Sequence, residues 1–200
     1  MRLRAGLLTA AVLIAVLPPT AAAAAPAVVH VPGDVATIQA AVDQVTPAGR
    51  VVVGPGTYVE NVAFRNKELE LESVAGPWAT VIDGGGRDTA VTIRDGQTRA
   101  TTLRGFTIRN GGTTGGRGGG IVVANASPTI TDNVITGNRG DEGAGVWVTD
   151  GSPLIAANAI RGNSAGGRGG GIDLGGAWGT EIVGNLIEGN TAAFGGGIQM

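Results

Sequence analysis

In the second half of the chain, apolar residues recur at a fixed long interval. The apolar position that follows a glycine run falls at Ile121, Val146, Ile172 and Ile198, spaced 25, 26 and 26 residues apart. Two further apolar columns lie between these marks. Ile130, Ile155 and Ile182 are each followed three residues later by Asn133, Asn158 and Asn185; Ile135, Ile160 and Ile187 are followed likewise by Asn138, Asn163 and Asn190. A fixed period of this size marks an array in which each unit buries its apolar face only against its neighbours. The apolar strings are three to five residues long, too short for helices, and they alternate with period two. In Ile121-Val122-Val123, Val146-Trp147-Val148 and Ile172-Asp173-Leu174 the outer residues are apolar and the middle one varies. That pattern predicts inward, outward, inward side chains on a strand.

Each unit therefore reads as one coil of three short strands. Stacked coils put equivalent side chains about 4.8 Å apart along parallel sheets. Isoleucine columns fill the inside, and the six asparagines are expected to pass amide hydrogen bonds from coil to coil as ladders. Tight bends are expected at Gly and Asn, which tolerate positive φ. Other repeats fit less well. A leucine-rich repeat needs a dense leucine pattern, a hexapeptide coil has a much shorter period, and a calcium-binding nonapeptide roll needs an aspartate where Gly171 stands. The fold class expected is all-β, a parallel β-helix solenoid.

Upstream, the pattern is less regular. Residues 1–24 read as a secretory signal peptide: Arg2 and Arg4, an apolar run over residues 5–17, Pro18-Pro19, then small residues. That apolar run is short for a membrane span. Residues 25–49 read as an N-terminal cap. In it residues 37–45 form the one expected helix, capped by Thr37 or, in competition, by Asp34, with Ile38, Ala41, Val42 and Val45 on one face. The helix is expected to cover the open end of the solenoid, where sheet edges would otherwise lie bare. Residues 50–200 are the coils, with strands expected at 28–31, 50–53, 58–62, 69–71, 81–82, 91–93 and 103–108. A new coil opens at Gly195-Gly196-Gly197-Ile198 without its asparagine strings. Further C-terminal coils, or a partner that caps this end, are therefore expected.

Residues 37–42, Thr-Ile-Gln-Ala-Ala-Val, lead into residues 51–60, Val-Val-Val-Gly-Pro-Gly-Thr-Tyr-Val-Glu. This passage resembles the opening coil of right-handed parallel β-helix proteins of the pectate lyase-like superfamily. Pectin methylesterases and a periplasmic copper-accessory β-helix family begin in a similar way. Val81-Ile82-Asp83-Gly84 and Phe106-Thr107-Ile108 are similar to the first full coils of that group. The resemblance implies a right-handed coil and a polysaccharide partner, and the superfamily's catalytic signatures are not matched. Gly151-Ser152-Pro153 lacks the aspartate of the esterase motif. The polygalacturonase elements do not occur, and Asp132, Asp141, Glu142, Asp150 and Asp173 do not repeat in one column.

Composition narrows the function classes. The chain has 37 glycines and only 4% aromatic residues, which suits thin aliphatic columns with many bends. A net charge of −2 gives no electrostatic footprint for nucleic acid. With no cysteine and a single histidine, His30, thiolate chemistry, a histidine triad and a multi-histidine metal site are excluded; no metal or cofactor is expected. The glycine run around Arg117 lacks the Gly-Lys-Ser/Thr ending of a phosphate loop. Asn125-Ala126-Ser127 is a glycosylation sequon of a kind that arises by chance.

Two outward columns remain. One runs Val122, Trp147, Asp173, Gln199; Trp147 there would either lie across the surface or under a loop, or offer a flat stacking face for a sugar ring beside polar Asp173 and Gln199. The other runs Arg109, Thr136, Arg161, Glu188, with Arg161 and Glu188 expected to form an ordinary surface pair. The expectation is a secreted or cell-surface β-helix, with the periplasm also open, that binds extracellular or cell-envelope polysaccharide and has no identifiable catalytic site. The alternatives are a polysaccharide lyase, esterase or epimerase with its site beyond residue 200, and a structural surface stalk.

Overall fold

A computed structural model describes residues 27–112 and 116–200. The expected signal peptide lies outside the described residues. Three parallel sheets stack the coils, and the chain visits them in rotation. The first sheet holds β1 (Val28–Val31), β2 (Gly49–Val53), β5 (Leu69–Ser73), β8 (Thr102–Arg104), β11 (Thr129–Thr131), β15 (Leu154–Ala156) and β19 (Glu181–Val183). The second holds β3 (Gly56–Val59), β6 (Thr80–Asp83), β9 (Thr107–Arg109), β12 (Val134–Thr136), β16 (Ala159–Arg161) and β20 (Leu186–Glu188). The third holds β4 (Val62–Ala63), β7 (Val91–Arg94), β10 (Ile121–Ala124), β14 (Val146–Thr149), β18 (Ile172–Gly175) and β21 (Ile198–Gln199). With six strands in each of the last two sheets, the molecule is a parallel β-solenoid of about six turns.

The apolar repeat sets the register. Leu71, Leu103, Ile130 and Ile155 pair in the first sheet. Ile82, Ile108, Ile135, Ile160 and Ile187 pair in the second. Val91, Ile121, Val146, Ile172 and Ile198 pair in the third. All of these except Ile187 and Ile198 are fully enclosed. Each enclosed side chain contributes about 1.5–3 kcal/mol relative to exposure. In the last coil Val183, Leu186 and Ile198 are 57%, 53% and 39% exposed.

The asparagines lie inside the corners. Asn133, Asn158 and Asn185 form one ladder: each side-chain oxygen accepts from the backbone N–H of the coil before, beginning at Phe106. Asn138, Asn163 and Asn190 form the other, beginning at Gly111. Each side-chain amide donates in turn to a strand carbonyl; Asn163 reaches Ile135 at 3.0 Å. The bend itself falls one residue earlier. Positive φ occurs at Asp132, Gly137, Ala157, Gly162, Gly184 and Gly189, the residue before each ladder asparagine. The left-handed residue thus aims the next side chain inward.

One helix is present among the described residues, α1 (Ile38–Gln44), and Thr37 caps it by accepting from the Ala40 N–H at 3.2 Å. Ile38, Ala41, Val42 and Val45 are buried against β1, β2 and β4, the end coil. Both Glu60 carboxylate oxygens accept from the Ile38 and Gln39 N–H groups at 2.9 Å, and Lys67 donates to the carbonyls of Val42, Asp43 and Val45. Opposite charges thereby meet the two ends of the helix dipole.

Three expected features differ. Residues 58–62 and 103–108 are each two strands rather than one; Gly105 at φ 80° turns the corner between β8 and β9. Arg161 does not pair with Glu188 among the described residues. Its guanidinium lies 5.7 Å from the centroid of the Trp78 ring, while Arg109 pairs with Asp83 at 2.9 Å. Finally, two coils carry a fourth strand. β13 (Arg139–Glu142) pairs with β17 (Ser164–Arg168) in a small fourth sheet.

Gln97, in the turn between β7 and β8, is 3% exposed, and neither its amide nitrogen nor its oxygen has a partner. A buried amide without partners costs about 1–3 kcal/mol. Gln97→Met, which keeps the volume and removes both polar atoms, is expected to stabilise the chain by about 1 kcal/mol in urea unfolding.

Candidate functional site

The site is built where the chain passes from the fourth sheet into the third. After β13 and β17 the chain turns back through Gly143 and Gly169, both at φ 57°. The turn passes directly above the outer column of the third sheet. A Cβ at Gly143 would come within 2.7 Å of Trp147 Cα and Cβ, and one at Gly169 within 2.5 Å of Asp173 Cβ. Only glycine fits, both for its φ and for this approach.

The register of Val122, Trp147, Asp173 and Gln199 is a continuous column on the third sheet. Its surroundings differ from the expected open face. Val122, Trp147 and Asp173 are only 5%, 9% and 5% exposed. Trp147 lies under the turn at Gly143, with the Arg117 side chain across its ring, rather than on an open face. The Arg117 guanidinium sits 5.2 Å from the centroid of the Trp147 ring, and its Nε bonds Glu142 Oε2 at 2.8 Å.

What remains open is a cavity of about 340 Å³ beside the column. Trp147 walls it, and Asp173, Gln199, Glu142, Arg117 and Arg168 supply its polar groups. The last three were not foreseen as site residues. Their signal was present: Arg117, Glu142, Arg168 and Phe194 each precede the first glycine of a coil mark, and they pair in one column. Among the described residues Arg168 and Asp173 have no ion-pair partner. Burial, and then the charge of Glu142, push the Asp173 carboxyl up from its ordinary range; Arg168 and Arg117 oppose this. A carboxyl perturbed in this way inside a hollow is a mark of functional sites.

A stability consequence follows from that direction. The folded chain holds the Asp173 proton to higher pH than the unfolded chain does. Ionised Asp173 therefore lowers stability at neutral pH, and the penalty fades as pH falls toward the unfolded value of about 3.9. Asp173→Asn is expected to raise Tm at pH 7 and to match the parent near pH 3, read by circular dichroism.

Among the described residues no group of three His, Cys, Asp or Glu side chains is placed to hold a metal ion, and no helix is long and apolar enough to cross a membrane. A family profile described as "Protein of unknown function (DUF1565)" matches residues 72–199. The chain belongs to this family. The matched span takes in both asparagine ladders, the fourth sheet and the cavity, and leaves out α1 and the first coil. No curated protein and no solved structure matches the chain.

Proposed function

We propose that the chain is an exported β-solenoid that binds extracellular or cell-envelope polysaccharide in the cavity where the fourth sheet meets the third. The observation that carries this reading is the convergence of Trp147, Asp173, Gln199 and Arg168 on one hollow of about 340 Å³. Sugar recognition needs directed donors and acceptors held on a rigid frame, beside a little apolar wall. Here Asp173 accepts from or donates to a hydroxyl according to its protonation, Gln199 does both, and Arg168 donates. Trp147 is the wall rather than a stacking platform. We further infer a right-handed coil and membership of the pectate lyase-like superfamily, supported by the opening passage over residues 37–60; a crystal structure would read the hand directly.

A glycan array tests binding. The wild-type chain is expected to retain a defined set of polysaccharides, and Arg168→Ala, an exposed change that leaves the core intact, is expected to lose at least about tenfold in affinity, the share of one charge-assisted hydrogen bond. Retention of no glycan, or unchanged binding by Arg168→Ala, would remove the reading. No glycan binding at all would leave the structural stalk.

A second reading is favoured by one observation, the lining of the same hollow by Glu142 and Asp173. Two carboxyl groups facing one hollow, the Asp173 carboxyl pushed up by burial, can act as acid and base on a glycosidic bond. A polysaccharide-processing enzyme would then have its site here rather than beyond residue 200. New reducing ends released by the wild-type chain and not by Asp173→Asn would establish it.

A further inference from the structure

The corner that carries the second ladder reads Gly-Asn in the later coils: Gly137-Asn138, Gly162-Asn163 and Gly189-Asn190. One coil before them the order is reversed. The bridge between Gly112 and Arg139 sets Asn110 beside Gly137 and Gly111 beside Asn138. Asn110 takes the left-handed corner, at φ 52°, and is exposed. Gly111 takes the inward slot, where a Cβ would collide with the Gly119 carbonyl oxygen. The fold thus demands, in the middle of the rod, the one Asn-Gly step in the chain.

Asparagine is chemically labile, and most so before glycine, where no side chain shields the following backbone nitrogen. The reaction is internal. The Gly111 nitrogen gives its proton to water or hydroxide and bonds to Asn110 Cγ; the Cγ–Nδ2 bond breaks and ammonia leaves. Water then opens the cyclic imide at either carbonyl, which yields aspartate or isoaspartate. Water is the sole co-reactant. In the folded chain both reacting groups are held. The Gly111 N–H donates to the buried Asn138 Oδ1 at 2.9 Å, the first rung of the ladder, and Asn110 Nδ2 donates to Asp83 Oδ2 at 3.2 Å.

We propose that Asn110 is a modification site gated by the ladder: its amide is kept while the Asn138 rung is closed and is lost when the corner opens. The change runs one way. Either product sets a second carboxylate opposite Asp83, where an amide now donates, and isoaspartate also lengthens the main chain next to the rung. A converted chain therefore no longer fits the corner, and the product marks chains in which the coil has opened.

The test is peptide mapping by mass spectrometry, with chromatographic separation of aspartate from isoaspartate, after incubation in mildly alkaline buffer. In denaturing urea Asn110 is expected to convert before every other asparagine. In native buffer its conversion is expected to be at least about tenfold slower, because it waits on local opening. Asn138→Leu, checked for folding by circular dichroism, is expected to speed the native conversion about five- to tenfold, the share of one hydrogen bond. Asn133→Leu removes the equivalent rung of the other ladder and should leave the rate at Asn110 near the parent's. Conversion of the folded wild-type chain as fast as in urea, another asparagine converting first in urea, or equal acceleration by the two variants would overturn the gate. If Asn138→Leu does not fold, the wild-type comparison decides alone.

Discussion

Ile160→Asp is expected to unfold the chain. Ile160 is fully enclosed and stacks between Ile135 and Ile187. The change removes about 1.5–3 kcal/mol of apolar burial and leaves a carboxyl with no partner inside a column, at a further cost of several kcal/mol. The total, at least about 4–5 kcal/mol, approaches the whole stability of an ordinary domain. A solenoid does not confine the damage, because each coil is held only by its neighbours. One residue along, Arg161 points outward over Trp78. Arg161→Asp loses only that contact, about 0.5–1 kcal/mol. Far-ultraviolet circular dichroism through a urea titration should show the first variant unfolded, or its midpoint far down, and the second nearly unchanged. Equal shifts would contradict the alternation of inward and outward positions.

Asn163→Leu is the second large effect. The Asn163 oxygen accepts from the backbone N–H and the side-chain amide of Asn138, and its own amide donates to Ile135 O and Asn190 Oδ1. Leucine has a similar size but none of these groups. It orphans the buried Asn138 backbone N–H, at about 1–3 kcal/mol, and takes one hydrogen bond each from the Asn138 amide and Asn190 Oδ1, at about 0.5–1 kcal/mol each. A loss of about 2–5 kcal/mol is expected. The same change at Asn190, at the partly exposed end of the ladder, lets water replace what is lost and should cost about 1–2 kcal/mol. Urea midpoints of the two variants measure the gradient. A larger loss at Asn190 than at Asn163 would mean that the ladder does not carry the middle coils.

Repetition made the interior legible. Ile135, Ile160 and Ile187 could be placed in one column because a one-residue slip would turn every apolar side chain of a strand outward. The helix could be placed because Thr37 and four apolar residues at helical spacing define both its start and its face. The fourth sheet could not. β13 and β17 read Arg-Gly-Asp-Glu and Ser-Ala-Gly-Gly-Arg, with no apolar alternation. What holds them is mutual backbone pairing and the left-handed turns at Gly143 and Gly169, which a sequence pattern records only as glycine. The cavity depends on that covering layer. The repeat puts Trp147 and Asp173 in one column but not their burial, which comes from the turns at Gly143 and Gly169 and from Arg117. Bends do fall at glycine, at Gly137, Gly162, Gly184 and Gly189, but not at the ladder asparagines. Asparagine suits a left-handed corner, but at these corners the buried hydrogen bonds claim it, and the preceding residue takes the strained φ.

The chain has three tryptophans, and each reports a different place: Trp147 in the cavity, Trp178 in the turn after β18, and Trp78 over the second sheet beside Arg161. Their indole N–H resonances, assigned by single Trp→Phe changes, can be followed while a binding oligosaccharide is titrated in. The Trp147 signal should shift and saturate as the sugar binds, with Trp78 still. A shift confined to Trp78, or none at any of the three while the sugar binds, would place the ligand elsewhere on the rod and contradict the site.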